Sequence, residues 1–269
     1  MGVVVEDVML HLAHNTAIVA ALAGGREAMI ARSGSLDRQL KAPRDMVTAG
    51  DYAAQAAVFA ELRATFPEHN ILSEEGSVSG NDSPYCWIVD PIDGTTNYYR
   101  GLPFFSVSVA MAAGEELLVG AVYDPSRDEM FSAMRGRGAF LNGQPIHTTT
   151  TAGLGECAFS LGMSYDALAT YRMLKVGQKV VPLCACNRTL GSAALVLSYI
   201  ACGRLDAYLH PLLYPWDAAA GALILREAGG IMTDLWGNDW GFNTKESLAA
   251  SPSVHGELLR VVREALDLE

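Results

Sequence analysis

Apolar positions change their spacing twice along this chain, dividing it into a helical entry, a run of strands and an alternating strand-helix tail. Residues 1–34 read as a helix, with Val8, Leu12 and Val19 on one face and Gly34 as its stop. Lys41 to Asp51, KAPRDMVTAGD, is a proline-bearing connection into a second helix over Tyr52 to Thr65, which Pro67 closes. Ile71 to Glu75 is a short strand running into acidic residues. Tyr85 to Val89 is a β-branched and aromatic strand; Asp90 ends it, Pro91 stiffens its exit, and Asp93, Gly94 and Thr95 turn into a short helix. Strands over Phe104 to Ala112, Glu116 to Tyr123 and Glu129 to Met134 follow, an antiparallel meander punctuated by Gly114, Pro125 and paired glycines.

Beyond Cys157 the period alternates. Strands are predicted over Cys157 to Leu161, Val181 to Ala185, Leu205 to Leu209, Gly230 to Thr233 and Leu248 to Ala250. Helices are predicted over Ala167 to Gly177, Leu190 to Ala201, Trp216 to Ala228 and Val254 to Leu266. Layers of helix and sheet follow, an α+β or α/β class. The halves, about 1–150 with the antiparallel sheet and about 151–269 of α/β character, meet without a linker, so 1–269 is treated as one catalytic unit.

With 269 residues, half of them hydrophobic and 18% charged, the chain has the composition of a globular protein with a substantial core. Glu6 and Asp7 precede the first apolar stretch, which does not resemble a secretory leader, and no apolar run is read as a membrane span. Met1-Gly2 begins like a myristoylation signal, but Glu6 stands where serine or threonine is wanted. Five cysteines, Cys86, Cys157, Cys184, Cys186 and Cys202, form no framework or zinc spacing and fit reduced thiols of a cytoplasmic protein. A net charge of −11 argues against binding to nucleic-acid backbones; Arg135 and Arg137 lie in a glycine-rich turn. A small anion can still be bound if cations reverse the local field.

The densest chemistry lies in WIVDPIDGTTNYY, Trp87 to Tyr99. Asp90 and Asp93 flank one proline, and Gly94 and Thr95 begin a short helix where backbone N–H groups can meet an anion. Carboxylates repel an anion unless a cation sits between them, and oxygen-only ligands suit Mg²⁺ or Mn²⁺. Glu74, after a short strand, and Asp217, in the first turn of the helix opened by Pro215 and Trp216, add two more carboxylates. The same residue types also serve as turns and helix caps, a reading that spacing alone leaves open.

DPIDGT at Asp90 to Thr95, then Trp216-Asp217, then eleven residues, then Gly229-Gly230, resembles the inositol monophosphatases. DMVTAGD at Asp45 to Asp51 and SEEG at Ser73 to Gly76 match the family's upstream segments, and the likeness runs over nearly the whole chain. The resemblance implies a layered αβαβα phosphatase fold and Mg²⁺-dependent, lithium-sensitive hydrolysis of a phosphate monoester. It implies one Mg²⁺ on Glu74, Asp90 and the carbonyl of Ile92, a second on Asp90, Asp93 and Asp217, and a weaker third leaning on Glu74, with Mn²⁺ a possible substitute. Asp51 and Thr95, with Glu74, are then the catalytic residues that orient and deprotonate the attacking water. Lys41 is given an outer role only.

By the same resemblance, the substrate meets Asp93, Gly94, Thr95, Ser192 and Ala193, the last two within Gly191 to Ala194. Many relatives place a glutamate seven residues before the WD aspartate; here His210 stands there, and neutral imidazole accepts one hydrogen bond where a carboxylate accepts several. The other histidines, His11, His14, His69, His147 and His255, show no ligand spacing. The expected substrate is a small phosphorylated polyol, myo-inositol 1-phosphate first, with histidinol phosphate, fructose 1,6-bisphosphate or a 3'-phosphonucleotide as alternatives. The resemblance also implies a homodimer, and a different class of role stays open: a partner of the transcription machinery built on a phosphatase fold.

Overall fold

Alanine decides how the first helix packs. The computed structural model describes residues 2–34, 38–42, 45–77 and 82–267. In it α1 (Gly2–Arg32) buries Ala13, Ala17, Ala20, Ala21 and Ala28, and turns Val8, Leu12 and Val19 to solvent. The expected core face is therefore reversed, because small side chains let neighbouring backbones come close. A Cβ on Gly24 would stand 2.8 Å from Val58 of α2 (Ala49–Thr65) and 3.2 Å from Val107. By length and composition Asp7–Arg32 also passes for a membrane span, contrary to the sequence expectation; its alanine face is covered by α2 and the large sheet.

The expected connection before α2 contains a short antiparallel pair, β1 (Arg38–Ala42) with β2 (Asp45–Thr48). Pro43 lies outside the described residues.

Seven strands form the large sheet, in sequence order from one edge to the other. They are β3 (Asn70–Ser73), β4 (Tyr85–Asp93), β5 (Ser106–Ala113), β6 (Glu116–Asp124), β7 (Glu129–Met134), β8 (Ala139–Leu141) and β9 (Gln144–Ile146). All neighbours run antiparallel except β3 and β4, which are parallel. β4 does not end at Asp90: Asp90 pairs with Ser108 and Asp93 with Ser106, leaving a bulge that houses Pro91, which has no N–H to donate. The short helix α3 (Thr95–Arg100) follows.

The smaller sheet has the order β11-β10-β12-β14-β13: β11 (Cys186–Arg188), β10 (Ala158–Leu161), β12 (Ala207–His210), β14 (Ser247–Ala250) and β13 (Ile231–Thr233). Val181 to Leu183, expected as strand, is a 3-10 turn with Pro182 inside it, and pairing begins only at Cys186. Between the sheets lie α5 (Ala193–Ala201) and α6 (Pro215–Glu227), joining Ile88, Ala110 and Phe131 of one sheet to Tyr208, Met232 and Ala249 of the other in one core. α4 (Ala167–Val180) and α7 (Pro252–Ala265) cover the far face of the small sheet, as α1 and α2 cover that of the large one. The expected αβαβα layering is the observed one.

Candidate active site

Parallel pairing of β3 and β4 sets the first two acids side by side. Ser73 is the register partner of Val89, and the Glu74 N–H donates to the Val89 carbonyl at 3.3 Å, so Glu74 and Asp90 leave the same sheet edge together. The Lys41 ammonium donates to Glu74 at 2.6 Å and to Glu75 at 2.7 Å. Asp90 is buried and accepts the Ile92 N–H at 3.1 Å. Burial pushes its carboxyl well above the usual range, and Glu74, Asp93, Asp217 and Asp51 push it further.

Asp51 lies in the first turn of α2, where both the N–H and the hydroxyl of Thr48 donate to its Oδ2, at 2.7 and 2.6 Å. Asp51 would read from the sequence as the N-cap of this helix; the N-cap is instead Thr48, and Asp51 is its N3 partner in a capping box. Its other oxygen faces the Thr95 hydroxyl at 3.2 Å, and that hydroxyl also lies 3.1 Å from the Ile92 carbonyl. Burial raises Asp51 to about 6. Asp217 accepts the Tyr214 N–H at 2.7 Å in the first turn of α6 and is likewise pushed well up, by burial and then by Asp93 and Glu74.

Asp93 reaches across the molecule. Its Oδ2 accepts the Ser192 hydroxyl at 2.6 Å and the Ala194 N–H at 2.7 Å, and its Oδ1 accepts the Ala193 N–H at 3.1 Å. A carboxylate from the large sheet thus caps the first turn of α5. α5 begins at Ala193 rather than at Leu190, and the approach loop docks on α3 through Asn97, whose amide donates to the carbonyls of Leu190 and Phe104 at 2.7 and 2.8 Å. Gly94 permits this: its φ is +98°, and a Cβ there would lie 2.9 Å from the Gly191 carbonyl oxygen. The Ser106 hydroxyl, which donates to Asp93 Oδ2 at 3.4 Å, completes these contacts, and no local spacing links it to the acids.

Oxygen donors make up the whole acidic set. Five mutually raised or adjacent carboxyls with no cysteine or histidine among them fit hard divalent cations such as Mg²⁺ or Mn²⁺. Among the described residues no three such side chains yet converge on one point, and each acid is held by a protein donor.

His210 ends β12 in the small sheet, and none of the five acids is among the groups that act on its ring. Its Nδ1 accepts the Leu212 N–H at 3.2 Å, the ring bonds the Met163 backbone as well, and burial lowers its pKa to about 4. It is neutral and its Nδ1 already accepts the Leu212 N–H, so the single acceptor expected for substrate is used within the protein. Tyr208 was not foreseen. The alternation in Ala207–His210 is the signal that puts it on the same face as His210, with ring centroids 5.6 Å apart.

The profile of the inositol monophosphatase family matches residues 10–267. A curated relative from Escherichia coli (strain K12), named Nus factor SuhB, is 38% identical over 96% of this chain and 98% of its own length. A fructose-1,6-bisphosphatase/inositol-1-monophosphatase from Thermotoga maritima is 38% identical over 83% of this chain and 85% of its own. The crystal structure of the extragenic suppressor protein SuhB from Bartonella henselae superposes with a TM-score of 0.91 at 35% identity, covering 94% of this chain and 99% of that one.

Proposed function

The chain belongs to the inositol monophosphatase family, and from that premise we propose that it is a Mg²⁺-dependent phosphatase of small phosphate monoesters, with myo-inositol 1-phosphate as its first substrate. Phosphatase activity is the common property of the family, and its members are metal-dependent, typically on Mg²⁺. The observation that carries the reading is that buried Asp90 feels the charges of Glu74, Asp93, Asp217 and Asp51, acids from both halves of the chain, and that Asp217 in turn feels Asp93 and Glu74.

Glu74, Asp90, Asp93, Asp217 and the Ile92 carbonyl would hold two to three Mg²⁺ ions, with Mn²⁺ as a substitute. Bound Mg²⁺ polarises a phosphoryl oxygen and lowers the pKa of water. Asp51, raised to about 6, is poised to accept a proton near neutral pH, and the Thr95 hydroxyl beside it orients the attacking water. Asp93 holds the start of α5, and with it Ser192, against the site. Lithium inhibition and a homodimer belong to the same proposal; sedimentation of the purified chain tests the second. A cytoplasmic location accords with five free cysteines.

Phosphate release from inositol 1-phosphate, histidinol phosphate, fructose 1,6-bisphosphate and 3'-phosphoadenosine 5'-phosphate, with and without Mg²⁺, tests the chemistry and ranks the alternatives. Turnover on none of the four defeats the substrate reading. One observation favours a second role: the Escherichia coli relative is named a Nus factor. A deletion strain complemented by Asp93→Asn protein supports a binding role in transcription; complementation by active protein alone supports the enzyme.

A further inference from the structure

Tyr208 lies on β12 between Ser160 of β10 and Ala249 of β14. The side chains of Ala207 and Leu209 face the core under α4 and α7, whereas Tyr208 shares a core with Ala193 at the start of α5 and with Leu213 and Ala218 beside Asp217. Tyr208 therefore points into the helix layer between the sheets, the layer that α5 and α6 enter at Ser192 and Pro215. Its ionisation is opposed by burial and then by Asp93 and Asp217, the two acids standing nearest that end of the site.

The fold does not use the Tyr208 hydroxyl. No described residue bonds it, and Ser160, directly across on β10, buries its own hydroxyl without a partner. His210, the next residue on the same face, spends its Nδ1 on the Leu212 N–H, and the Met163 backbone also acts on its ring. Gly162 makes room for the two side chains: a Cβ on it would overlap the His210 ring and lie 2.9 Å from the Tyr208 oxygen. Among the described residues of this wall the phenol thus joins the smaller, buried hydroxyls of Ser160 and Ser247 as a group without a partner, and of the three it alone is long enough to reach out from the strand.

We propose that Tyr208 is the specificity-determining residue for the leaving alcohol, bonding one hydroxyl adjacent to the phosphate ester, while His210 is a positioning residue that holds the Tyr208 ring. The inference rests on the phosphatase reading above and names the substrate class: phosphate esters of alcohols with a neighbouring hydroxyl. A phenol forms one such bond where a carboxylate forms several, so selectivity among polyols is shallow.

The test compares kcat/KM on inositol 1-phosphate and glycerol 2-phosphate, which carry that hydroxyl, with p-nitrophenyl phosphate, which lacks it. Tyr208→Phe is expected to lose about fivefold on the first two, the worth of one neutral hydrogen bond, and less than about twofold on the third. His210→Asn, which keeps an acceptor for the Leu212 N–H, leaves the ratio between substrates unchanged. Equal effects of Tyr208→Phe on all three esters, or no effect, overturn the assignment; a changed ratio in His210→Asn shows that His210 reads the substrate itself and overturns its positioning role. Should Tyr208→Phe fail to fold, wild-type protein is tested on inositol 1-phosphate analogues lacking either hydroxyl beside the ester: a fivefold loss with one of them is expected, and a loss with neither overturns the proposal. Wild-type protein that hydrolyses none of the esters in Mg²⁺ defeats the phosphatase reading, and the Tyr208 assignment with it.

Discussion

The two walls of the site are built from different materials. The wall at the edge of the large sheet presents Glu74, Asp90, Asp93 and, through α2, Asp51; the wall of the small sheet presents Tyr208, His210 and the first turn of α5, with Asp217 as its one acid. The first wall strains against itself: burial raises Asp90, Asp93 and Asp51, and the charge of Glu74 raises them further. The second, Asp217 apart, is electrically quiet, with a neutral imidazole and a phenol. Crowded carboxylates on one side suit cations, and phosphate only through those cations; neutral hydrogen-bonding groups on the other suit an alcohol.

The largest effect that can break this division comes from the acid facing all the others. Asp90→Asn is expected to lower kcat by about a thousandfold or more, the scale of losing several kcal/mol of charge stabilisation, while circular dichroism stays native. Retained turnover would mean the acidic wall is structural. Next, Thr95→Ala should cost about 10- to 100-fold in kcat by freeing Asp51 on its substrate side, with Thr95→Ser restoring most of it. A Thr95→Ala enzyme of wild-type rate would show that Asp51 acts only as the cap of α2.

Acid titration separates the walls without reference to turnover. Asp51 and Asp93 stand at about 6 in the fold and at the ordinary 3.8 when unfolded. Between those values the folded chain binds more protons than the unfolded one, so their contribution to stability falls as pH rises from about 4 to about 6. The melting temperature of chelator-treated protein should carry that fall. Mg²⁺ at a hundred times its dissociation constant should then raise the midpoint by several degrees at pH 7, about 2.7 kcal/mol of linkage. A midpoint indifferent to Mg²⁺ contradicts the cation reading. The smallest effect is on the quiet wall: Ser192→Ala removes one hydroxyl from Asp93 and should cost about 1–2 kcal/mol in stability, with a KM change of a few fold.

Legibility in the sequence followed the same division. Asp90, Asp93, Gly94 and Thr95 are neighbours in the chain, so their joint chemistry could be read before any fold was known. Asp217 and Asp51 each sit in the first turn of a helix whose start is marked locally by Pro215 and Thr48. Tyr208 had no such marker, because its value comes from which face of β12 it occupies and from Gly162 on another strand. The cap that Asp93 places on α5 joins positions a hundred residues apart. α1 misled for a different reason: hydrophobic weight favoured valine and leucine, but close helix packing favoured alanine. β8, β9 and β11 are three residues each, too short to show a period.

The central claim is that the acidic wall holds cations for phosphate ester hydrolysis. Its most direct test is phosphate release from inositol 1-phosphate by one preparation, measured in Mg²⁺, after EDTA, and after Mg²⁺ is restored, with folded Asp90→Asn alongside. Release that stops with EDTA, returns with Mg²⁺ and stays absent in Asp90→Asn is the predicted result. Release that survives EDTA, or an Asp90→Asn protein that keeps pace with wild type, contradicts it.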